Sequence, residues 1–507
     1  MRPAVLLRLA LAGNRTDTAR VVLTALSAAL ATLAGLAALT VLAIPTPPGG
    51  RGNNNSEQYA NALLREPGLR GGTAIALLLL TVPVLALAGQ CARLGAPARD
   101  RRLAALRLAG ATSGQVTRLA VLETGLAGLL GTLLGLAVFL GGRRLLDAPD
   151  ARGRLALPTD VLPATGVIGA VVLGLPLAAA LLGAVLLRRV TATPFGVVRK
   201  VRRERAPGPW AGLLIVAGLA AFAALDPVLD WYQDHHREPP LLLPPLLLLG
   251  GGLAALTGVV VGTGWLSYTS GRLLHRYARR PAALLASRRL TSDPWAGSRT
   301  FAALLAAVIV GGGAAGIRAS FEAHAEVERL TGQDRGGSDG FYLRTMDLVD
   351  LAVGVAMAIA AGGLIVALVE GIVARRRAYA ALVATGVPRG TLARSVAWQA
   401  LAPAVPAVGL ALTVGLLLSR GVAGHAVTGG GYSTEFCDGA ESLCADPATR
   451  AQYLRTLWVP EVTVTPDVPL GQLALVGAGA LVAVLVTVAV GLLLLRASTA
   501  VEELRTA

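Results

Sequence analysis

The chain has 507 residues, of which 54% are hydrophobic and only 15% charged, where a soluble protein carries roughly a quarter charged residues. With a mean hydropathy of +0.63, the composition excludes a soluble globular enzyme and marks a polytopic membrane protein. The formal charge is +16, but aromatic residues make up only 4% and no aromatic-rich soluble module is present to stack bases, which excludes nucleic acid as a partner.

In residues 1–20, Val5, Leu6 and Leu9 share one helical face while Arg2, Arg8 and Arg15 fall largely off it. That pattern predicts an amphipathic helix lying in the cytoplasmic membrane interface. The apolar run that follows exceeds the roughly 7 to 15 residues of a signal-peptide core, so the first span is expected to be uncleaved. Residues 21–187 form a first four-helix unit, with apolar stretches long enough to cross a bilayer at Val21–Ile44, Thr73–Cys91, Leu119–Leu140 and Val161–Leu187. Its first outer loop, Pro45 to Arg70, begins with the irregular run PTPPGGRGNNNS. The third span carries Gly125, Gly128, Gly131 and Gly135, a spacing at which helices can approach closely, although glycine is so abundant here that chance gives the same pattern.

Residues 188–209 are a basic cytoplasmic linker. A two-helix insert follows at 210–266, with spans at Trp210–Leu225 and Leu241–Leu266, the first of them short. The segment between these spans, Asp226 to Pro240, contains Asp230, Asp234, His235 and His236; neighbouring histidines diverge, so a solvated loop is expected and no metal site. Residues 267–299 are a cytoplasmic connector with an amphipathic helix, and residues 300–495 a second four-helix unit with spans at Thr300–Ile317, Leu351–Val369, Ser395–Leu418 and Val468–Leu495. Its outer loops are Arg318 to Asp350 and the longer 420–467, which holds Tyr432, Phe436, Tyr453, Trp458 and a candidate disulfide between Cys437 and Cys444. Residues 496–507 are a cytoplasmic tail. The expected fold is all-α, with ten transmembrane helices arranged four, two and four.

With the N-terminus inside, about two thirds of the 46 Lys and Arg fall in the cytoplasmic segments and most of the 30 acids outside. The expected topology is therefore N-in and C-in, multi-pass, in the cytoplasmic membrane of a bacterium, with the basic rim attracted to membrane lipid. No catalytic, cofactor-binding or metal site emerges. The one lysine, Lys200, lies in VVRKVRR, so the Gly-x-x-x-x-Gly-Lys-Ser/Thr loop that cradles ATP phosphates cannot form. The spans hold almost no ionisable residues, Glu123 and Glu370 lying at inner ends, which disfavours a proton-coupled carrier.

One basic element occurs twice. RRLAALRLAGATSGQVTRLAVLE from Arg101 and RAYAALVATGVPRGTLARSVAWQ from Arg377 share Arg101/Arg377, Ala104/Ala380, Ala105/Ala381, Leu106/Leu382, Gly110/Gly386, Gly114/Gly390 and Arg118/Arg394. Arg2-Pro3-Ala4 and Leu6-Leu7 recur nearly in register as Arg280-Pro281-Ala282 and Leu284-Leu285, so the duplication begins ahead of each unit's first span. The even-numbered insert makes both halves face the same way, unlike inverted-repeat carriers.

The run Leu-x-x-x-Gly-x-x-x-Gly-x-x-x-Arg, followed by Glu or Gln in the next span, resembles the FtsX-like permease domain of ABC transporters of the MacB/LolC/BceB kind, also called type VII. The resemblance implies a membrane-spanning permease subunit, itself no enzyme, driven by a separate ABC ATPase dimer that holds the ATP and Mg. Arg101, Leu106, Gly110, Gly114, Arg118, Arg377, Leu382, Gly386, Gly390 and Arg394 are then the elements that receive the ATPase stroke. Family members usually carry a large outer domain; the short loops Pro45–Arg70 and Arg318–Asp350 fit export or extraction of a hydrophobic or amphipathic compound, lipid or peptide. The alternative is a non-transporting mechanotransmission subunit that regulates an outer enzyme or an antibiotic-sensing kinase, for which 420–467 would supply the outer partner surface.

Overall fold

A computed structural model describes residues 15–46, 56–79, 81, 84, 108–191, 208–240, 243–332, 339–424, 426–438, 444 and 447–498. The first helices are α1 (Arg15–Leu42), α2 (Ala62–Arg65), α3 (Pro67–Leu79), α4 (Ser113–Leu145) and α5 (Thr165–Thr191). They are followed by α6 (Ala211–Ala223), α7 (Leu225–Asp234), α8 (Leu243–Tyr277) and α9 (Pro281–Ser292). The remainder comprises α10 (Trp295–Leu330), α11 (Asp339–Ala374), α12 (Arg376–Ala384), α13 (Arg389–Ala423), β1 (Val427–Gly429), β2 (Tyr432–Cys437), α14 (Pro447–Tyr453), β3 (Leu454–Val459), β4 (Val462–Val464) and α15 (Leu470–Ser498). Among the described residues eight helices are long and apolar enough to cross a membrane, and the shorter apolar stretches Leu69–Leu78 and Thr165–Leu181 accompany them.

The same pairs pack in both parts of the chain. α1 lies against α3, α4 and α5, with α4 against α5; α10 lies against α11, α13 and α15, with α13 against α15. α6 and α8 pack together and onto α13, and α8 also packs on α10. The largest buried cluster runs through this second assembly and includes Val259, Leu304, Leu305, Val308, Ala404, Ala411, Val414 and Val484. Leu23 of α1 meets Val366 of α11 and joins the two parts.

Glycine spacing on α4 is a packing device, and it serves two partners. A Cβ on Gly128 would stand 3.4 Å from Pro176 of α5, and one on Gly125 3.7 Å from Ala180. On the other side a Cβ on Gly135 would approach the Ala29 carbonyl oxygen of α1 to 2.7 Å, and one on Gly131 would collide with the Ala25 carbonyl. Two helices therefore approach α4 at backbone distance, which is how helices gain contact where lipid is as apolar as the side chains. Pro176, inside α5, has no N–H for the carbonyl of Val172 one turn earlier. The Thr132 hydroxyl of α4 donates to that oxygen at 3.0 Å, which satisfies in a dry setting the group that the proline leaves open.

At the end of the first part away from the basic turn, loop and helix are knotted around two arginines. Arg70 is 5% exposed and donates to the carbonyls of Leu64 (2.7 Å) and Ile44 (3.1 Å) and to Ser56 Oγ (2.7 Å). Arg143 likewise donates to the carbonyls of Pro158, Val161 and Thr159. Tyr59 is fully buried beside Val41, Ile44 and Leu64, and its hydroxyl donates to Asp160 Oδ1 at 2.7 Å. Burial, followed by the bond to Asp160, pushes the Tyr59 phenol up to about 12.

Three expectations are revised at this same end. The loop expected at Arg318–Asp350 is mostly helix, because α10 and α11 continue past their apolar cores and only 331–338 separates them. Their charges satisfy one another across the pair, Arg318 reaching Asp347 at 2.5 Å and Asp350 at 3.0 Å, with Phe321 stacked on Tyr342 at 4.8 Å. The loop expected at Asp226–Pro240 is helical to Asp234, since α7 continues α6 and His235 stacks on Trp231 at 4.4 Å. Among the described residues, 420–467 hold four short strands where an all-α chain was expected. β1 pairs with β4 and β2 with β3, both antiparallel, and Gly430 (φ 87°) and Gly431 (φ 76°) make the bend between β1 and β2 that other residues adopt only with strain. A disulfide joins Cys437 to Cys444.

Thr132→Val, which keeps the shape but leaves the Val172 carbonyl unpaired, should lower thermal stability in detergent by about 1–3 kcal/mol. Gly131→Leu should do more, whereas Gly141→Ala, with open space around it in the same helix, should melt at or above wild type because alanine is the better helix former; melting of Thr132→Val and Gly131→Leu no lower than that of Gly141→Ala would refute the packing role. Because the fold holds the neutral phenol of Tyr59, its contribution is full below about pH 10 and is lost as pH rises through about 12. Wild type should therefore lose more stability than Tyr59→Phe between pH 9 and pH 11.5, and parallel loss would contradict the assignment.

Candidate functional site

The second copy of the repeated element is a short helix, a glycine turn and the start of a long helix. α12 ends at Ala384, and the Gly386 N–H donates to the Val383 carbonyl while the Val387 N–H donates to the Leu382 carbonyl, both at 3.0 Å. These two bonds are the Schellman closure of a helix C-terminus, which needs a left-handed residue at the glycine position. Gly386 supplies it at φ 90°. Leu382 and Val387, the residues that flank the closure, pack together on Ile372, Tyr379, Leu392 and Val396. Thus the Leu-x-x-x-Gly spacing of the motif has a structural cause: it sets the leucine and the glycine at the two ends of one helix stop.

Pro388 then takes the extended backbone that precedes α13 (φ −62°, ψ 136°). Gly390 lies in the first turn of α13 with nothing within 4 Å of a Cβ placed on it, and Arg394 is exposed one turn further on. Arg377 is the second residue of α12. The Leu382, Gly386, Gly390 and Arg394 positions therefore lie on one turn and its following helix, the first two shaping it and the last two on its surface.

From Gly110 onward the first copy matches the second in its backbone. Arg101 and Leu106 lie outside the described residues. Gly110 has φ 90°, as Gly386 does, and α4 begins at Ser113, three residues later, as α13 begins at Arg389. The cap is built differently: Thr112 accepts from the Gln115 N–H at 3.3 Å while the Gln115 side chain accepts from the Thr112 N–H at 3.2 Å, a capping box where the second copy uses proline. Gly114, like Gly390, has open space around it, Arg118 is exposed, and Leu108 is 91% exposed. Two bare glycines in the first turns of long helices leave backbone within reach of an incoming partner.

The spacing of residue types did not disclose a cavity beside the second turn. It has a volume of about 500 Å³ and is lined by Leu285, Arg288 and Arg289 of α9, by Arg375 and Tyr379, and by Gln399. Gln399, whose side chain donates to Ser395 Oγ at 3.0 Å, occupies the place of Glu123 in the first copy, which is 9% exposed. The signal that could have located it is the paired arginine of RPAALLASRRLTSD meeting the basic start of the second copy, but only the fold brings α9 against α13.

Residues 71–195, which include the first turn with α4 and α5, match the FtsX-like permease C-terminal family. No curated protein and no solved structure matches the chain. The apolar helices and the matched segment agree: the chain is a multi-pass membrane protein whose residues 71–195 are similar to the FtsX-like permease C-terminal family, a likeness that supports a permease of ABC-transporter type.

Proposed function

We propose that this chain is the membrane subunit of an ABC transporter in which the turns at Gly110 and Gly386 are paired sockets for a separate ATPase dimer. The observation that carries the reading is the identical plan of the two turns, a glycine at φ 90° followed three residues later by a long helix, with a bare glycine in that helix's first turn. A two-subunit motor needs two equivalent contacts, and a duplicated chain supplies them. In this reading ten spans are arranged as two four-helix units about a two-helix insert, with both termini and both turns in the cytoplasm. The chain binds no ATP itself, and closure of the ATPase dimer pushes on Arg118 and Arg394 at the helix starts.

The task that follows is export or extraction of a hydrophobic or amphipathic compound, lipid or peptide. One observation favours the second reading, mechanotransmission to an outer partner. The β2–β3 ribbon exposes Tyr432, Phe436, Leu457 and Trp458, the last 62% exposed, and apolar residues so displayed mark contact surfaces.

Gly390→Ala separates structure from coupling. Alanine is the better helix former by about 1 kcal/mol, so the variant should be at least as stable as wild type yet stimulate the partner ATPase at least tenfold less. Gly386→Ala should lose about 1 kcal/mol of stability from left-handed strain. Full ATPase stimulation by Gly390→Ala and by the double variant Arg118→Glu, Arg394→Glu, or failure of any P-loop ATPase to co-purify with wild type, would refute the coupling role.

A further inference from the structure

We infer that the cavity beside the second turn binds the phosphate headgroup of an anionic membrane lipid. The inference rests on the reading that this end of the bundle lies at the cytoplasmic leaflet. Three guanidinium groups, Arg288, Arg289 and Arg375, line one space of about 500 Å³ with a single acid, Asp293. Among the described residues none of the three forms an ion pair. Cations gathered this closely repel one another unless an anion stands among them. The planar fork of arginine matches phosphate oxygens two at a time, which a set of three exploits better with a tetrahedral anion than with a carboxylate. Tyr379, 9% exposed, and Gln399 supply neutral polar groups to the wall.

The lip of the cavity points to a lipid as the bearer of that phosphate. α9 buries Ala282, Ala283, Ala286 and Leu290, packing against α8 and α13. It leaves Leu284 41% and Leu285 37% exposed, and Leu285 also lines the cavity. An apolar lip beside a cationic basin is the arrangement met by a molecule with acyl chains on one side of its phosphate, at the depth where an amphipathic helix lies. The volume accommodates a headgroup and excludes a folded partner. Such a lipid would bridge α9, α12 and α13 and brace the second turn from behind, away from bare Gly390.

The test is lipid retention by the purified full-length chain, followed by native mass spectrometry through stepwise delipidation, with phosphatidylglycerol, phosphatidylcholine and soluble glycerol phosphate as the probes. Wild type should retain phosphatidylglycerol at least tenfold over phosphatidylcholine, and the triple variant R288Q/R289Q/R375Q should lose that preference. Arg276→Gln, an exposed cation on the same side but outside the cavity, should keep it. The triple variant R288K/R289K/R375K, which keeps the charge and loses the fork, should fall severalfold and answers the question if the glutamine variant does not fold. Unchanged retention in either triple variant, or no preference in wild type, overturns the site. Displacement by glycerol phosphate at the same concentration as the lipid would assign the arginines to a soluble phosphate compound and overturn the lipid assignment. No ATPase is present in this measurement, so its failure would leave the coupling reading standing, and a failed coupling assay would leave this one standing.

Discussion

A helix end in a membrane protein has backbone groups that neither lipid nor a neighbouring side chain satisfies cheaply, and in this chain a left-handed glycine closes that account. At Gly386 the positive φ lets two successive N–H groups turn back onto the carbonyls of Leu382 and Val383, so the short helix stops with its last carbonyls bonded. The chain then restarts as a 35-residue helix whose first turn carries no side chain at Gly390. Gly110 repeats the torsion at the matching place. The glycine turn fixes where α4 and α13 begin and therefore which of their residues meet α1 and α10.

Close approach of backbones is the second constraint, and the two parts meet it with glycines at different positions along the helix. α4 uses Gly131 and Gly135 against α1, whereas α13 has alanine at the matching positions, Ala407 and Ala411, both fully buried, and relies on Gly415 further along against α10. The ends away from the turns differ more. The first is tied by arginines donating to carbonyls around a buried tyrosine, and the second by an ion-paired helix extension topped with two-stranded ribbons and a disulfide. The part of each unit that would face a motor is thus alike and the part opposite is free to vary, which is the division expected of a shared drive with a particular load.

Much of this was legible in the residues. Apolar runs marked the helices, the register of the repeat located both turns, and glycine spacing on the third span pointed to a packing face that Pro176, Ala25 and Ala29 complete. Charge misled at two places and composition at a third. Arg318, Asp347 and Asp350 read as loop because each is costly alone near a membrane; as a cross-helix cluster they are compatible with continued helix. Asp230 and Asp234 likewise ended the expected span early, although α7 carries them on. The alternating YSTEFC and LRTLWV segments had the period of strands but lay inside what composition presented as a connector. The arginine-lined cavity was beyond reach because its walls come from α9 and from the second turn, about ninety residues apart in the chain.

The central claim is that Gly114 and Gly390 lie on equivalent surfaces at the same side of the membrane. Single cysteines at these two positions, in a chain lacking Cys91, Cys437 and Cys444, can be probed with a membrane-impermeant thiol reagent in right-side-out and inverted vesicles. Both should label in inverted vesicles only and at similar rates. Labelling of the two from opposite sides would contradict the paired-socket account.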